Sequence, residues 1–409
     1  MRIVTYVTDI EGIGKKLDTF VRESPWLTTD THGRIDVHSD AIFVFGGDAI
    51  DRGPDGRRVV ETLLDAKARQ PERVVLIAGN RDINKIRLPR ELSGRPPRWV
   101  PDELKRGPRA DLLRAIFANS MGARGAFDFR KEELAGTGAP STDDDVVQSF
   151  VDDLAPGGPM FRFLEASQLA FRFGSTLFVH GAVTDESLGN IPGEDREPDI
   201  DRWVERLNAF YQSQIRAFGA DPIDASDSRP YAPLIRYQAP LPNSGHNPES
   251  VVYGRCVDPE NNPVLPERGV VARLARAGIH RLVVGHTPSG DTPSVLRAEG
   301  FEMISADNSY GSLDWGAGVD IDDGNTRVTI RGQATLETGE VVSVGFTTEG
   351  REMPALGQRD KRTGLLVKGP IADSRALLFK YEAGLALVQR AVAAQDVDAL
   401  ELEPPHRAP

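Results

Sequence analysis

Apolar runs that stop abruptly at small and charged positions set the rhythm of the chain. Arg2 to Thr8 is rich in β-branched residues and ends at Asp9-Ile10-Glu11-Gly12, which predicts a strand followed by a carboxylate-bearing turn. Residues 41 to 47 repeat the pattern as a second strand that ends at Asp48. Residues 55 to 69 read as a helix whose apolar positions include Val59, Val60, Leu63 and Leu64, and Arg73 to Ala78 as a third strand ending at Gly79-Asn80-Arg81-Asp82. Strand and helix in alternation, with polar residues at each strand's carboxyl end, predict an α/β sheet whose site lies along that edge.

The rhythm breaks over residues 84 to 160. That stretch is Pro-rich at 96 to 108, has helical character around 110 to 120 and is rich in Gly, Ser and Asp at 136 to 145; it predicts an irregular insertion able to cap the site. A hairpin, Leu169 to Phe173 and Thr176 to Val179 joined by Gly174-Ser175, then leads to His180-Gly181. A second irregular insertion spans about 185 to 262, with a helix near 201 to 218 and Pro-rich loops after it. A helix at 268 to 277 precedes the strand Arg281 to Val284, which ends at Gly285-His286-Thr287-Pro288, and residues 301 to 332 and 335 to 347 read as further strands. The expected organisation is one domain over residues 1 to 350 carrying both insertions. A C-terminal helical extension, 351 to 409, is expected to pack on it through one amphipathic helix at about 373 to 394, with a frayed Pro-rich end.

Composition narrows the class. A chain of 409 residues with 39% hydrophobic content can fill a large core. The formal net charge of −12 is spread along the sequence, which argues against an extended electrostatic surface for nucleic acid or membrane. A single cysteine, Cys256, forbids an internal disulfide and a Cys-rich zinc site and is expected to be a packed residue. No apolar run approaches the roughly 20 residues of a membrane helix, and Met1 leads almost directly into a strand, so a cytoplasmic protein is expected. Its oligomeric state is left open.

The chemistry is concentrated at the strand ends. In Phe43 to Gly53 an apolar run stops at Gly46-Gly47 and delivers Asp48, Asp51 and Arg52 to an exposed turn, a pattern suited to metal and phosphate chemistry. Other strand ends carry Asp9 and Glu11, Asn80 and Arg81, His180, and His286. Carboxylate, amide and imidazole donors without thiolate suit a pair of hard or borderline divalent ions, with a carboxylate such as Asp48 as the bridge. Gly12-Ile13-Gly14-Lys15 lacks the Gly-x-x-x-x-Gly-Lys-Ser/Thr spacing of a nucleotide-triphosphate loop and reads as a turn into a helix.

In Asp9-Ile10-Glu11, Gly47-Asp48-Ala49-Ile50-Asp51-Arg52-Gly53, Gly79-Asn80-Arg81-Asp82, His180-Gly181 and Gly285-His286-Thr287, the chain resembles the calcineurin-like metallophosphoesterases, and within them the phosphoprotein-phosphatase branch with its bacterial relatives. Ile304 to Gly311 is similar to that branch's late strand and tyrosine-bearing loop. The resemblance covers roughly residues 3 to 330 without the insertions. It implies a central β-sandwich flanked by helices, with Asp9, Glu11 and Asp48 holding one metal ion and Asp48, Asn80, His180 and His286 the other. It also implies that Arg52 binds phosphate oxygens, with Arg255 as a second candidate clamp.

Two positions depart from the family pattern. Glu11 stands where the family has a histidine ligand, and Arg81 where it has the histidine that, helped by Asp51, protonates the leaving group. The two exchanges compensate in charge, and an Asp51–Arg81 ion pair is expected. Glu11 hardens its site, so Mn²⁺ is the expected activator, with Mg²⁺, Ca²⁺, Fe or Zn²⁺ as alternatives. Arginine cannot act as a general acid, so the expected activity is hydrolysis of phosphomonoesters with good leaving groups, aryl phosphate or phosphotyrosine among them. The phosphorylated partner is a small molecule, a nucleotide or a phosphoprotein. Two further readings stay open: a nucleoside-polyphosphate or phosphodiester hydrolase, and a catalytically impaired phosphate-binding module on the same fold.

Overall fold

Parallel pairing brings the predicted site strands side by side in the computed structural model, which describes residues 3–406 apart from 225, 227, 299, 312, 323, 325 and 350–352. The strands in chain order are β1 (Ile3–Val7), β2 (Leu27–Thr29), β3 (Ile35–Val37), β4 (Ala41–Phe45), β5 (Val74–Ile77), β6 (Ser167–Gln168), β7 (Ala170–Phe173), β8 (Thr176–Val179), β9 (Arg281–Pro288), β10 (Ser294–Ala298), β11 (Phe301–Asp307), β12 (Gly318–Asp322), β13 (Arg327–Thr335) and β14 (Val341–Glu349). One sheet has the order β14-β13-β12-β1-β4-β5-β6 and the other β10-β11-β9-β8-β7. β1, β4 and β5 run parallel in the first, with Val7 beside Phe45 and Phe45 beside Leu76; β8, β9 and β11 run parallel in the second, with Phe178 beside Val283 and Val284 beside Ser305.

Side-chain alternation explains the layers. Val4, Tyr6, Ile42 and Val44 face inward and meet Phe178, Val283 and Ile304 of the facing sheet. Their neighbours Val7, Phe43, Phe45, Leu177 and Val284 face outward into a second core under the helices, where Phe43 and Phe45 meet residues such as Phe20, Val59 and Leu63. Every residue of β4 is therefore buried, and the strand reads as a continuous apolar run because helices cover one face and a second sheet the other. The α/β pattern predicted from the sequence is present, arranged as the sandwich flanked by helices that the resemblance implies. Cys256 is buried, and among the described residues no helix is long and apolar enough to cross a membrane.

Two expectations need correction. The first insertion is not irregular: it is a helical subassembly, Leu88–Leu92, Asp102–Arg106, Arg109–Ser120, Ala126–Gly136, Asp143–Asp153 and Pro159–Ala166. Four of its prolines mark helix starts, Pro89 and Pro159 in first turns and Pro101 and Pro108 just before them, where a missing N–H costs nothing. Buried Arg130 binds Asp153 at 2.6 Å, and Phe117 packs edge-on against Phe150. A small hairpin, β2 with β3, was not anticipated.

The C-terminal extension is a β-sheet rather than a helix: β15 (Arg359–Asp360), β16 (Leu366–Ile371), β17 (Arg375–Glu382), β18 (Ala386–Ala393) and β19 (Leu402–Glu403). The expected helix at 373 to 394 is the β17–β18 hairpin, turning at Gly384 with φ 76°. Alternation was masked because both faces of β17 are buried: Leu377 enters the sandwich core while Ala376 and Leu378 enter a separate small cluster. The tail sheet also grips the turn after β9. Tyr381 Oη accepts from Gly290 N at 3.0 Å, Gln389 Nε2 donates to Asp291 Oδ2 at 2.6 Å, and buried Lys368 donates to the carbonyls of Ser289 and Thr292. Leu377→Ala should therefore destabilise the whole sandwich by about 2–5 kcal/mol, read as one lowered thermal transition; an unchanged main transition would mean that the tail folds independently.

Candidate metal centre

Each parallel strand ends by handing polar side chains to the same edge. Backbone bonds lock the first two turns together, Asp9 N to Gly47 O at 2.9 Å and Glu11 N to Asp48 O at 2.9 Å. Asp9, Glu11, Asp48, Asp51 and His286 all have positive φ, at 53°, 51°, 57°, 109° and 58°, a conformation that costs a non-glycine residue about 1–3 kcal/mol and persists only where the surroundings enforce it. The backbone approaches closely as well: a Cβ on Gly79 would collide with Asp48 Oδ1, and one on Gly285 with Asp9 Oδ2.

Two ligand groups result. Asp48, His180 and His286 place donor atoms within 4.8 Å of one another, and so do Asp9, Glu11 and Asp48. In the first group His180 Nδ1 lies 2.8 Å from Gly46 O, which assigns the ring proton there, while Nε2 faces Asn80 Oδ1 at 3.2 Å and Asp48 Oδ1 at 3.3 Å. Three acceptors thus converge on one point, which suits a cation. Without an ion, a proton on Nε2 relieves them; burial opposes that charge, but Asp48, with Asp9 and the Gly46 carbonyl, outweighs it and holds the imidazole up at about 10. This group fits a divalent ion.

Positive side chains weave through the rest. Arg81 Nε lies 2.5 Å from Glu11 Oε1 and 3.5 Å from Asp48 Oδ2, and Nη1 donates to Gly122 O at 3.2 Å. Burial works against this guanidinium, yet Glu11, Asp48 and Asp51 raise its pKa, so it is a permanent cation. Burial pushes Glu11 up to about 7 despite Arg81 and Arg52, and raises Asp9, which also feels Asp307. His286 is depressed by burial and by Arg255, whose Nε lies 3.3 Å from His286 Nε2. Arg255 therefore belongs to the centre and not to the outer surface. Arg52 Nε is 3.2 Å from Glu11 Oε2, and its guanidinium stacks on the Tyr310 ring at 3.8 Å.

The expected Asp51–Arg81 pair is present but long, 3.7 Å. The nearer partner of Asp51 is Lys85, which sequence reasoning missed: its fully buried ammonium is 2.7 Å from Asp51 Oδ2 and also donates to Arg81 O and Asn84 Oδ1. The signal was available in the i,i+4 spacing of Arg81 and Lys85. Buried Lys16, which donates to Asn308 O at 3.1 Å, and Asp307 were missed too. The centre opens into a cavity of about 390 Å³ walled by Asn119 and Gly122 of the first insertion, Gln238 and Tyr253 of the second, and Leu385 of the tail. The loop at 136 to 145 is not among its lining residues.

Asp82 is the positioning residue beneath the ligands. Its carboxylate accepts from Asp48 N at 2.9 Å, Ala49 N at 2.9 Å and Gly79 N at 2.8 Å, and burial, then Asp48, push it up to about 7. Asp82→Ala would strand those buried amides, at about 3 kcal/mol or more in total. It should also weaken Mn²⁺ binding by about 10–100-fold. Urea denaturation and a Mn²⁺ titration read the two effects; unchanged affinity would show that the turns hold their shape without it.

No protein-family model matches the chain, and no curated protein matches it. Among solved structures it is similar to a cold-active protein-tyrosine phosphatase of a psychrophile Shewanella sp., at 16% identity over 84% of this chain and 80% of that one, with a TM-score of 0.46. It is also similar to a Saccharomyces cerevisiae protein serine/threonine phosphatase with similarity to human phosphatase PP5, at 12% identity over 84% of this chain and 79% of that one, TM-score 0.38. A Sphaerobacter thermophilus metallophosphoesterase gives 12% identity over 80% of this chain and 87% of that one, TM-score 0.30.

Proposed function

We propose that the protein is a divalent-metal-dependent phosphoesterase that hydrolyses phosphomonoesters with good leaving groups, such as aryl phosphates and phosphotyrosine. The observation that carries this reading is one cavity in which a ligand group fit for a divalent ion adjoins guanidinium side chains, Arg81 and Arg255. Asp48, Asn80, His180 and His286 would hold the ion, with Mn²⁺ the best match to that mixed donor set, and it would supply Lewis acidity and a more acidic water.

The chain's own residues do the rest. Arg255 beside His286, and Arg52 over the Tyr310 ring, offer fork-shaped donors to phosphoryl oxygens. Arg81 lies beside Asp51, where the resemblance places a proton-donating histidine. A guanidinium stabilises developing phosphoryl charge but keeps its proton. The leaving oxygen then departs without help from that position, which costs about 10²–10⁴-fold where protonation is needed. Asn84, Asn119 and Gln238 on the cavity walls are amides of the kind that read a base, and they keep a nucleoside polyphosphate as the second reading.

The test is a series of substituted phenyl phosphates, run beside alkyl, anhydride and diester phosphates on Mn²⁺-loaded protein. The kcat/KM should fall steeply as the phenol becomes more basic, and Arg81→His should flatten that fall by returning a proton donor beside Asp51. A shallow wild-type slope would mean that another group is the acid. Preference for anhydrides would favour the nucleotide reading, and phosphate binding without any turnover would favour a binding module.

A further inference from the structure

The two ligand groups are not equivalent. Asp48 divides its carboxylate between them: Oδ1 faces His180 and takes the Arg81 backbone N–H, while Oδ2 faces the Arg81 side chain. On the Oδ2 side Glu11 Oε1 lies 2.5 Å from Arg81 Nε, while Oε2, 3.2 Å from Arg52 Nε, makes no hydrogen bond and meets that guanidinium by charge alone. Asp9 Oδ2, the remaining member, accepts from Thr8 Oγ1 at 2.7 Å and from His286 N at 3.1 Å. Carboxylates that face guanidinium groups in this way do not fit a divalent ion at the same point. An ion close enough to bind Glu11 Oε1 and Asp48 Oδ2 would lie against Arg81 Nε, with two like charges in a buried site.

Arg81 is held there from several directions. Its side chain is 10% exposed, its backbone N–H is bound to Asp48 Oδ1 at 2.9 Å, and Nη1 is bound to Gly122 O at 3.2 Å and lies 3.7 Å from Asp51. Lys85 grips the Arg81 carbonyl at 2.9 Å, so backbone and head group are both fixed. We propose that the Arg81 guanidinium permanently takes the place of the first metal ion. The chain would then hold one divalent ion, in the Asp48, Asn80, His180 and His286 group, with Glu11 serving as the bracket that clamps Arg81 and Arg52 instead of as a ligand. This rests on reading the second group as a metal site. It departs from the two-ion expectation, in which Glu11 is a donor to metal and Arg81 compensates its charge from nearby.

Stoichiometry tests it without reference to turnover. Full-length protein, stripped with chelator and titrated with Mn²⁺, should bind one ion per chain by elemental analysis and give the paramagnetic-resonance spectrum of isolated Mn²⁺. Arg81→Ala and Arg81→His should each admit a second ion and give an exchange-coupled pair. His180→Ala should lose the single ion. Anomalous diffraction from Mn²⁺-soaked wild-type crystals, which needs no variant, should show one peak, among Asp48, Asn80, His180 and His286. Two coupled ions in the wild type, or two anomalous peaks, would overturn the inference and leave the metal reading intact, as would folded Arg81 variants that still bind one ion. No ion bound by the wild type at saturating Mn²⁺ would overturn both.

Discussion

Buried negative charge is the constraint on which this structure turns. Asp9, Glu11, Asp48, Asp51, Asp82 and Asp307 are all buried where two sheets deliver their strand ends, and carboxylates removed from water are costly unless positive charge or hydrogen bonds meet them. Arg81, Lys85 and Lys16 are buried with them, each for a separate reason in the fold. Lys85 neutralises Asp51 from behind, Arg81 spans Glu11 and Asp48, and Lys16 comes from the helix after β1. These internal cations do not satisfy every carboxylate: burial still raises Asp9 and Glu11. A divalent ion among the remaining donors would lower that cost, and ion binding would then be linked to folding stability.

The same need for support explains why the site is surrounded. Positive φ at Asp9, Glu11, Asp48, Asp51 and His286 is tolerated because the turns are tied to each other, to Asp82 and, beyond β9, to the tail sheet through Tyr381, Gln389 and Lys368. The tail thus acts on the centre through the turn that follows His286. The helical insertion contributes the Gly122 carbonyl that receives Arg81 and the Phe117 ring beneath the Lys85 ammonium. Elements that look peripheral in the chain supply both the cavity walls and the second layer that holds the charged side chains in place.

The strand ends and their donors were legible because they depend on short-range pattern. An apolar run that stops at a polar residue marks a buried strand and its end, and β1, β4, β5, β8 and β9 lie where such runs predict them, although Asp48 and Asp51, expected on an exposed turn, are buried. The tail was misread because burial on both faces of β17 erases the period-2 signal. In the first insertion, prolines that signal interruption in isolation open helices. Both errors have one cause: what a segment packs against lies elsewhere in the chain.

Residue types and their order along the chain determined an α/β fold with carboxylates, an amide and imidazoles at successive strand ends; the resemblance implied the sandwich, and Glu11 and Arg81 depart from its pattern together. Which cation answers which carboxylate was decided only by the tertiary structure. Ion pairing depends on distances of a few ångströms between groups far apart in sequence. Asp51 chose Lys85 over Arg81 because a short helical stretch places the ammonium behind it, and Arg81 chose Glu11 because the first and third strand ends meet at one edge.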